Sequence, residues 1–382
     1  MNEIRERMIE MEKYTEGILR LKKFAERAER GEELTLGFFG GSITQGSLAS
    51  EPETCYAYRV FDWWQKKYPN AVFHYVNAGI GGTSSHFGVS RVHRDLLMYR
   101  PDFVVVDFSV NDEPDEFFQE TYEGLLRNIW YSDTKPAVIL LNNCFYDSGK
   151  TAQEFHNAVG DHYQIPHVSV KEEIYSMLTE GKYTQEELSP DGLHPNDLGH
   201  QLLAEKIAGT IEKILEGGKT PELSGGPSEA EKGKENPEKI ACYTQNAYEK
   251  AVRLTIENGT PELLGFRADA EEKTGHLDFF KNGWVGRRKG DRLKLVAEGS
   301  CIAVQYRKTI HKPSPVARLI LDGDTGNAVV LDGNFEETWG DCLYIEPVLH
   351  HGEKGTHTIE IEIMEATEED KAPFYLLSFI VA

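Results

Sequence analysis

Apolar positions between residues 33 and 216 follow two rhythms. Short runs, nearly continuous or alternating, occur at Leu34–Phe39, Val72–Asn77, Phe103–Phe108, Pro136–Leu141 and Ile165–Val170. The continuous ones read as strands covered on both faces of a parallel sheet. Between them lie segments whose apolar residues return every three or four positions, the spacing of one helical face. These predict helices over 56–67, near 88–99, over 151–163 and over 196–216, the last with Leu198, Leu202, Leu203, Ile207, Ile211, Ile214 and Leu215 on or near one face. Residues 1–30 carry Ile4, Met8, Met11, Ile18 and Leu21 amid many charges and predict one more helix. Strands alternating with helices define a parallel three-layer α/β domain.

The pattern stops at residue 217. Residues 217–239 are rich in Gly, Pro, Ser and charge and hold few large apolar side chains, the composition of a linker. Beyond 240 the period becomes two, in short segments at 292–296, 302–306, 317–321, 328–331, 356–363 and 374–381, with turns at Asp322-Gly323, Asp332-Gly333 and Gly352. That predicts an antiparallel β-sandwich. The expected organisation is an N-terminal helix over 1–30, an α/β domain over 31–218, a linker over 219–240 and a sandwich over 241–382.

Charge and cysteines narrow the partners. The formal net charge of −22 argues against nucleic acid and anionic membranes, which call on clustered Lys and Arg, and favours a neutral substrate. No segment has the roughly 18–20 consecutive apolar residues of a membrane span, and the charged start MNEIRERMIEMEK has no secretory apolar core. The expected location is the cytoplasm. The five cysteines are widely spaced without a metal-type cluster, so free, largely buried thiols are expected, with no metal and no cofactor. A homo-oligomer is compatible with the sequence.

The candidate chemistry sits where predicted strands end. Gly40-Gly41-Ser42-Ile43-Thr44 follows the first strand, placing a serine on a glycine turn at the edge where open α/β sheets bind ligands. Gly41 to Gly46 has phosphate-loop spacing, but Ser47 stands where the phosphate-binding lysine belongs. The dinucleotide pattern also fails, here and at Gly79-Ile80-Gly81, as does the G-x-S-x-G elbow, where Thr44 holds the last position. Asn77-Ala78-Gly79-Ile80-Gly81-Gly82-Thr83 exposes backbone N–H groups after the second strand. Ser109-Val110-Asn111-Asp112 offers a side-chain amide after the third. Asp191-Gly192-Leu193-His194-Pro195 precedes the long helix. Asp and His three apart at a rigid turn set the carboxylate against one imidazole nitrogen and free the other to act as a base toward a serine. A nucleophile, Ser42, an Asp191–His194 pair and oxyanion donors, in that arrangement, predict acyl transfer.

These blocks resemble the SGNH (GDSL-like) hydrolase superfamily over roughly residues 33–216: Ser42, Gly82, Asn111 and His194 match its four name-giving residues. The resemblance implies a flavodoxin-like α/β/α fold, ester hydrolysis by Ser42, His194 and Asp191, and an oxyanion hole made by the Ser42 N–H, the Gly82 N–H and the Asn111 side chain, with Gly79 and Gly81 the alternatives to Gly82 as the donating glycine. Gly41 replaces the Asp of the GDS motif and Ser109 the glycine of G-x-N-D; the GGSIT form is similar to bacterial carbohydrate esterases. The two-domain layout resembles carbohydrate esterase family 17, which joins such a domain to a jelly-roll sandwich like a carbohydrate-binding module and acts on acetylated manno-oligosaccharides. On that reading Trp284 and Trp339, in predicted sandwich loops, are candidate sugar platforms, and His86 a candidate pocket residue. The alternatives are an acetyl-xylan esterase, a short-chain lipid or aryl esterase, and a non-catalytic carbohydrate-binding protein.

Overall fold

The computed structural model describes residues 15–217, 239–275 and 277–382. Residues 1–14 of the helix expected over 1–30, and nearly all of the expected linker, lie outside these. The chain divides into two compact units with the boundary after Asn246.

In the first unit, strands β1 (Glu33–Gly40), β2 (Val72–Gly79), β3 (Phe103–Asp107), β4 (Ala137–Asn142) and β5 (His167–Ser169) form one sheet in the order β2-β1-β3-β4-β5. Every neighbouring pair is parallel. This is the flavodoxin-like order, whose direction of winding reverses between β1 and β3. Helices α1 (Thr15–Glu29), α2 (Tyr56–Lys67), α3 (Ser85–Asp95), α4 (Glu116–Trp130), α5 (Gln153–His162) and α6 (Asp197–Glu216) connect and flank the strands. Because side chains alternate across a strand, Leu34, Leu36, Phe38, Phe103, Val105, Ile139 and Leu141 share one face. They form a single core with Phe24 of α1, Trp64 of α2 and Leu203 and Ile207 of α6. Helix α5 packs on β4 and β5 and against α4.

The apolar spacing does not predict α4. Asp115 caps this helix by accepting the Phe118 N–H at 2.9 Å, but buried Glu120, Thr121 and Glu123 break its apolar rhythm. Glu123 is buried for a reason. Its two carboxylate oxygens accept the N–H groups of Tyr243 and Thr244 at 2.6 and 2.7 Å. Ile240 is tied to the same helix and its end, its N–H to the Tyr131 hydroxyl and its carbonyl to Arg127. These bonds explain why the unit boundary falls at 246 and not at 240.

The second unit is built from two antiparallel sheets. One runs Val329–Asp332, Val316–Leu321, Gly355–Glu365, Arg292–Gly299, Glu262–Leu264. The other runs Cys342–Leu349, Ile302–Lys308, Phe374–Val381, Trp284–Gly286, Arg267–Ala268, with Val252–Leu254 also paired to Phe374–Val381. Strand Arg292–Gly299 alternates exposed and buried residues, as a sheet with one solvated face should. Leu293, Leu295, Leu319, Ile359 and Ile361 of the first sheet meet Val304, Tyr306, Phe374, Leu376 and Phe379 of the second in one core. Among the described residues no helix is long and apolar enough to cross a membrane. Four cysteines are buried, Cys242 is exposed, and all five are free.

Candidate active site

The site lies at the carboxyl ends of β1, β2 and β3, at the point where the winding of the sheet reverses. Directly after β1 the chain turns into a four-residue helix, Ser42–Gln45, stopped by Gly46 at φ 104°. Ser42 is only 7% exposed. Its hydroxyl lies 2.8 Å from Nε2 of His194.

His194 is held by its own turn. Its Nδ1 lies 2.7 Å from Asp191 Oδ2, while Asp191 Oδ1 accepts the N–H groups of Leu193 at 2.9 Å and His194 at 2.7 Å. Gly192, at φ +78°, makes that tight turn possible. Asn196 then caps α6 by accepting the N–H groups of Leu198 and Gly199. Partial burial alone would raise the Asp191 carboxyl. The hydrogen bonds from the His194 imidazole and from the two backbone N–H groups outweigh it and hold the carboxyl below the usual carboxylate range.

The glycine loop after β2 offers four consecutive N–H groups, and three are engaged. Gly79 donates to Asn77 Oδ1 at 2.9 Å, Ile80 to the Gly40 carbonyl at 3.0 Å and Gly81 to Gln45 Oε1 at 2.6 Å. The Gly82 N–H has no acceptor among the described residues, and Gly82 sits at φ +65°, a conformation suited to glycine. The neighbouring backbone is close to the nucleophile: a Cβ on Gly81 would lie 3.5 Å from Ser42 Cβ. The Ser42 N–H, in a first helical turn, has no intrahelical acceptor either. These two free donors are the candidates for the backbone half of an oxyanion hole.

Asn111 is the candidate for the third. It lies on a turn after β3 in which the N–H groups of Asn111 and Asp112 both return to the Phe108 carbonyl. Ser109 is fully buried and donates to the Asn143 carbonyl at 2.9 Å, which accommodates a side chain where the family motif has glycine. The Gly41 departure has a direct steric reason: a Cβ there would fall 2.1 Å from Asn111 Oδ1 and 3.0 Å from its Cγ. Gly41→Ala is therefore expected to push the amide aside. It should lower kcat on p-nitrophenyl acetate by about 10²–10³-fold, the usual effect of losing one oxyanion donor. A kcat within about threefold of wild type would remove Asn111 from the hole.

Spacing assigns no role to several residues that build the site. Gln45 and Asn77 tie the nucleophile helix to the glycine loop, Asn77 Nδ2 donating to the Thr44 carbonyl at 2.8 Å. Behind them Thr44 Oγ1 bonds the Tyr56 hydroxyl at 2.7 Å and Asp107 Oδ2 at 3.0 Å. Burial pushes the Asp107 carboxyl up to about 6. Its folded value thus exceeds the unfolded one. Between about pH 4 and 6 the folded protein keeps a proton that the unfolded chain has released, so stability falls as pH rises through that window. Above pH 6 the penalty is on the order of 3 kcal/mol. Asp107→Asn is expected to stabilise the protein at pH 8 by up to that amount and to change little at pH 4. Urea unfolding at the two pH values tests this, and equal effects at both would contradict it.

One candidate sugar-contacting residue is corrected. Trp284 is not on a loop. It begins a strand, pairs with Leu376, is 2% exposed and packs on Phe379 in the sandwich core. The preceding Asn282-Gly283 looks like a turn, but the glycine is needed because the Leu376 carbonyl and the Tyr375 ring leave no room for a Cβ. His86 is 3% exposed and edge-on to Phe117. Trp339, by contrast, is 61% exposed on a sandwich loop, with Phe335 against it.

A serine activated by a carboxylate-held imidazole, with oxyanion donors at the switch point of a parallel sheet, defines a serine carboxylic-ester hydrolase. The GDSL-like lipase/acylhydrolase family model matches residues 38–202, and the chain belongs to that family. It is similar over both units to a two-domain esterase active on acetylated mannans. In the crystal structure of that esterase with mannopentaose the identity is 46%, the TM-score 0.88, and the match covers 95% of this chain and 94% of that one. A second crystal structure of a two-domain esterase active on acetylated mannans gives 47% and 0.89 over the same shares. An acetylxylan esterase of Geobacillus stearothermophilus is 28% identical over 203 residues, 46% of this chain and 91% of the relative.

Proposed function

We propose that this protein is a carbohydrate O-acetylesterase that removes acetyl groups from acetylated manno-oligosaccharides. The observation that carries the reading is the 46% identity to an esterase active on acetylated mannans, which extends through the sandwich as well as the hydrolase unit. The acetylxylan esterase relative matches only about half of this chain, so it supports the chemistry more than the sugar. A neutral polysaccharide also suits a chain of net charge −22.

The geometry supports the following course of reaction. Nε2 of His194 takes the proton of Ser42 Oγ as that oxygen attacks the acetyl carbonyl. The resulting oxyanion is received by the Ser42 and Gly82 N–H groups and the Asn111 amide. Asp191 holds the imidazole with Nδ1 protonated and stabilises the imidazolium. Collapse breaks the bond to the sugar oxygen, which leaves with the proton from His194. Water, activated by the same nitrogen, attacks acetyl-Ser42 and releases acetate. Trp339 is the sandwich residue best suited to stack on a sugar face.

Mass spectrometry of acetylated manno- and xylo-oligosaccharides after treatment with the full chain tests the substrate. Loss of acetyl mass from the mannan series is expected. Deacetylation of the xylan series with mannan untouched overturns the sugar assignment, and activity peaking on acyl chains of six or more carbons overturns the acetyl preference.

A further inference from the structure

The two parts of the oxyanion hole outside the nucleophile turn belong to different segments: Gly82 to the loop after β2, Asn111 to the turn after β3. One buried carboxylate spans them. Asp112, the neighbour of Asn111, accepts through Oδ1 the N–H of Ser85, three residues past Gly82 and the first residue of α3, at 2.8 Å. Its Oδ2 faces Nε2 of His156 at 3.0 Å. The Asp112 side chain is 0% exposed and that of His156 is 1%. The His156 ring, on α5, lies flat on Tyr122 of α4, with centroids 3.6 Å apart and planes within 4°. One residue before Tyr122, the Thr121 hydroxyl bonds the Ser85 hydroxyl at 2.7 Å.

A sealed His–Asp pair is weak evidence for stability, because desolvating both groups offsets much of their attraction and apolar residues could fill the space as well. What apolar packing does not supply is direction. The hydrogen bonds to Asp112 fix the end of the Asn111 turn against the start of α3 in one register, and the stacked ring fixes the partner that faces it. An oxyanion donor needs such precision, since a misplacement of about 1 Å at a reacting centre can cost roughly 10²-fold in rate.

We propose that Asp112 and His156 are positioning residues for the oxyanion hole: they lock the turn carrying Asn111 to the loop carrying Gly82. The inference rests on ester hydrolysis by Ser42 and is independent of which sugar carries the acetyl group. Its test compares Asp112→Asn and His156→Gln, each alone and combined with Asn111→Ala, by kcat, KM and melting temperature on p-nitrophenyl acetate. Alone, each is expected to lower kcat by about 10–10²-fold with KM within about threefold. In the Asn111→Ala background that loss should at least halve on a logarithmic scale, because residues acting through a shared partner are non-additive. Losses that multiply in full, or a lowered melting temperature with kcat within about threefold of wild type, would reduce the pair to a structural role. If Asp112→Asn does not fold, the His156→Gln comparison decides by the same criteria. Wild-type turnover of the ester that Ser42→Ala abolishes establishes the hydrolase chemistry separately from the clamp.

Discussion

Ser42→Ala is expected to lower kcat on acetyl esters by about 10⁴–10⁶-fold, the range seen when a triad nucleophile is removed. What remains would come from the oxyanion donors and from binding, which retain roughly 10³–10⁴-fold over water in such enzymes. The fold should not notice. Among the described residues Ser42 Oγ has one hydrogen-bond partner, His194 Nε2, and His194 keeps its other nitrogen on Asp191. The substitution removes one oxygen atom from a site 7% exposed, and the expected change in stability is within about 1 kcal/mol. Kinetics and a melting curve on the same preparation separate the two effects. More than about 1% residual activity in a folded variant would mean that another group performs the attack.

The motif around Ser42 does not by itself identify a nucleophile. A glycine-serine turn after a strand also suits phosphate binding, and it takes Ser47 in place of a lysine to set that aside. Asp191 and His194 are legible because their partnership is local: three residues apart on a Gly-Pro turn, the carboxylate can reach both the imidazole and its backbone. The strands of the α/β unit are legible for a similar reason, since each is a short apolar run whose burial on both faces leaves no polar position to confuse the pattern.

What the sequence hides depends on contacts between distant segments. Helix α4 carries Glu123 on a buried position, and the residues that satisfy it lie 120 and 121 positions away. Read alone, Glu123 breaks an apolar stripe; read with Tyr243 and Thr244 it is a docking point. Trp284 reads as a loop residue because Asn-Gly is a common turn signal, whereas here the glycine allows close approach to a neighbouring strand. Among the loop glycines, sequence supplies several donors, and only the acceptors taken by Gly79, Ile80 and Gly81 single out Gly82 as the one with no acceptor among the described residues. Asp112 and His156 stand 44 residues apart, and no spacing announces them as a pair.

Asp191→Asn is expected to be more damaging than Asp191→Ala, although it is the more conservative change. The Asp191 carboxylate makes two kinds of contact. Oδ1 accepts two backbone N–H groups of its turn, and Oδ2 accepts from His194 Nδ1. Asparagine has one acceptor and one donor. Its oxygen satisfies the backbone N–H groups, which leaves the amide NH₂ facing Nδ1. That nitrogen must then become the acceptor, so the proton moves to Nε2, the nitrogen that should take the proton of Ser42. The turn is preserved and the base is the wrong tautomer, a fault worth about 10⁴-fold in kcat where the carboxylate is buried. Here the Asp191 side chain is 45% exposed, so water competes for Nδ1 and a loss nearer 10³-fold is expected. Alanine imposes no tautomer. Water can accept from Nδ1 and bond the freed backbone N–H groups, so Asp191→Ala should retain about tenfold more activity than Asp191→Asn. Measured kcat values in the reverse order would show that Asp191 acts mainly by holding the turn, and that the choice of imidazole tautomer is made elsewhere.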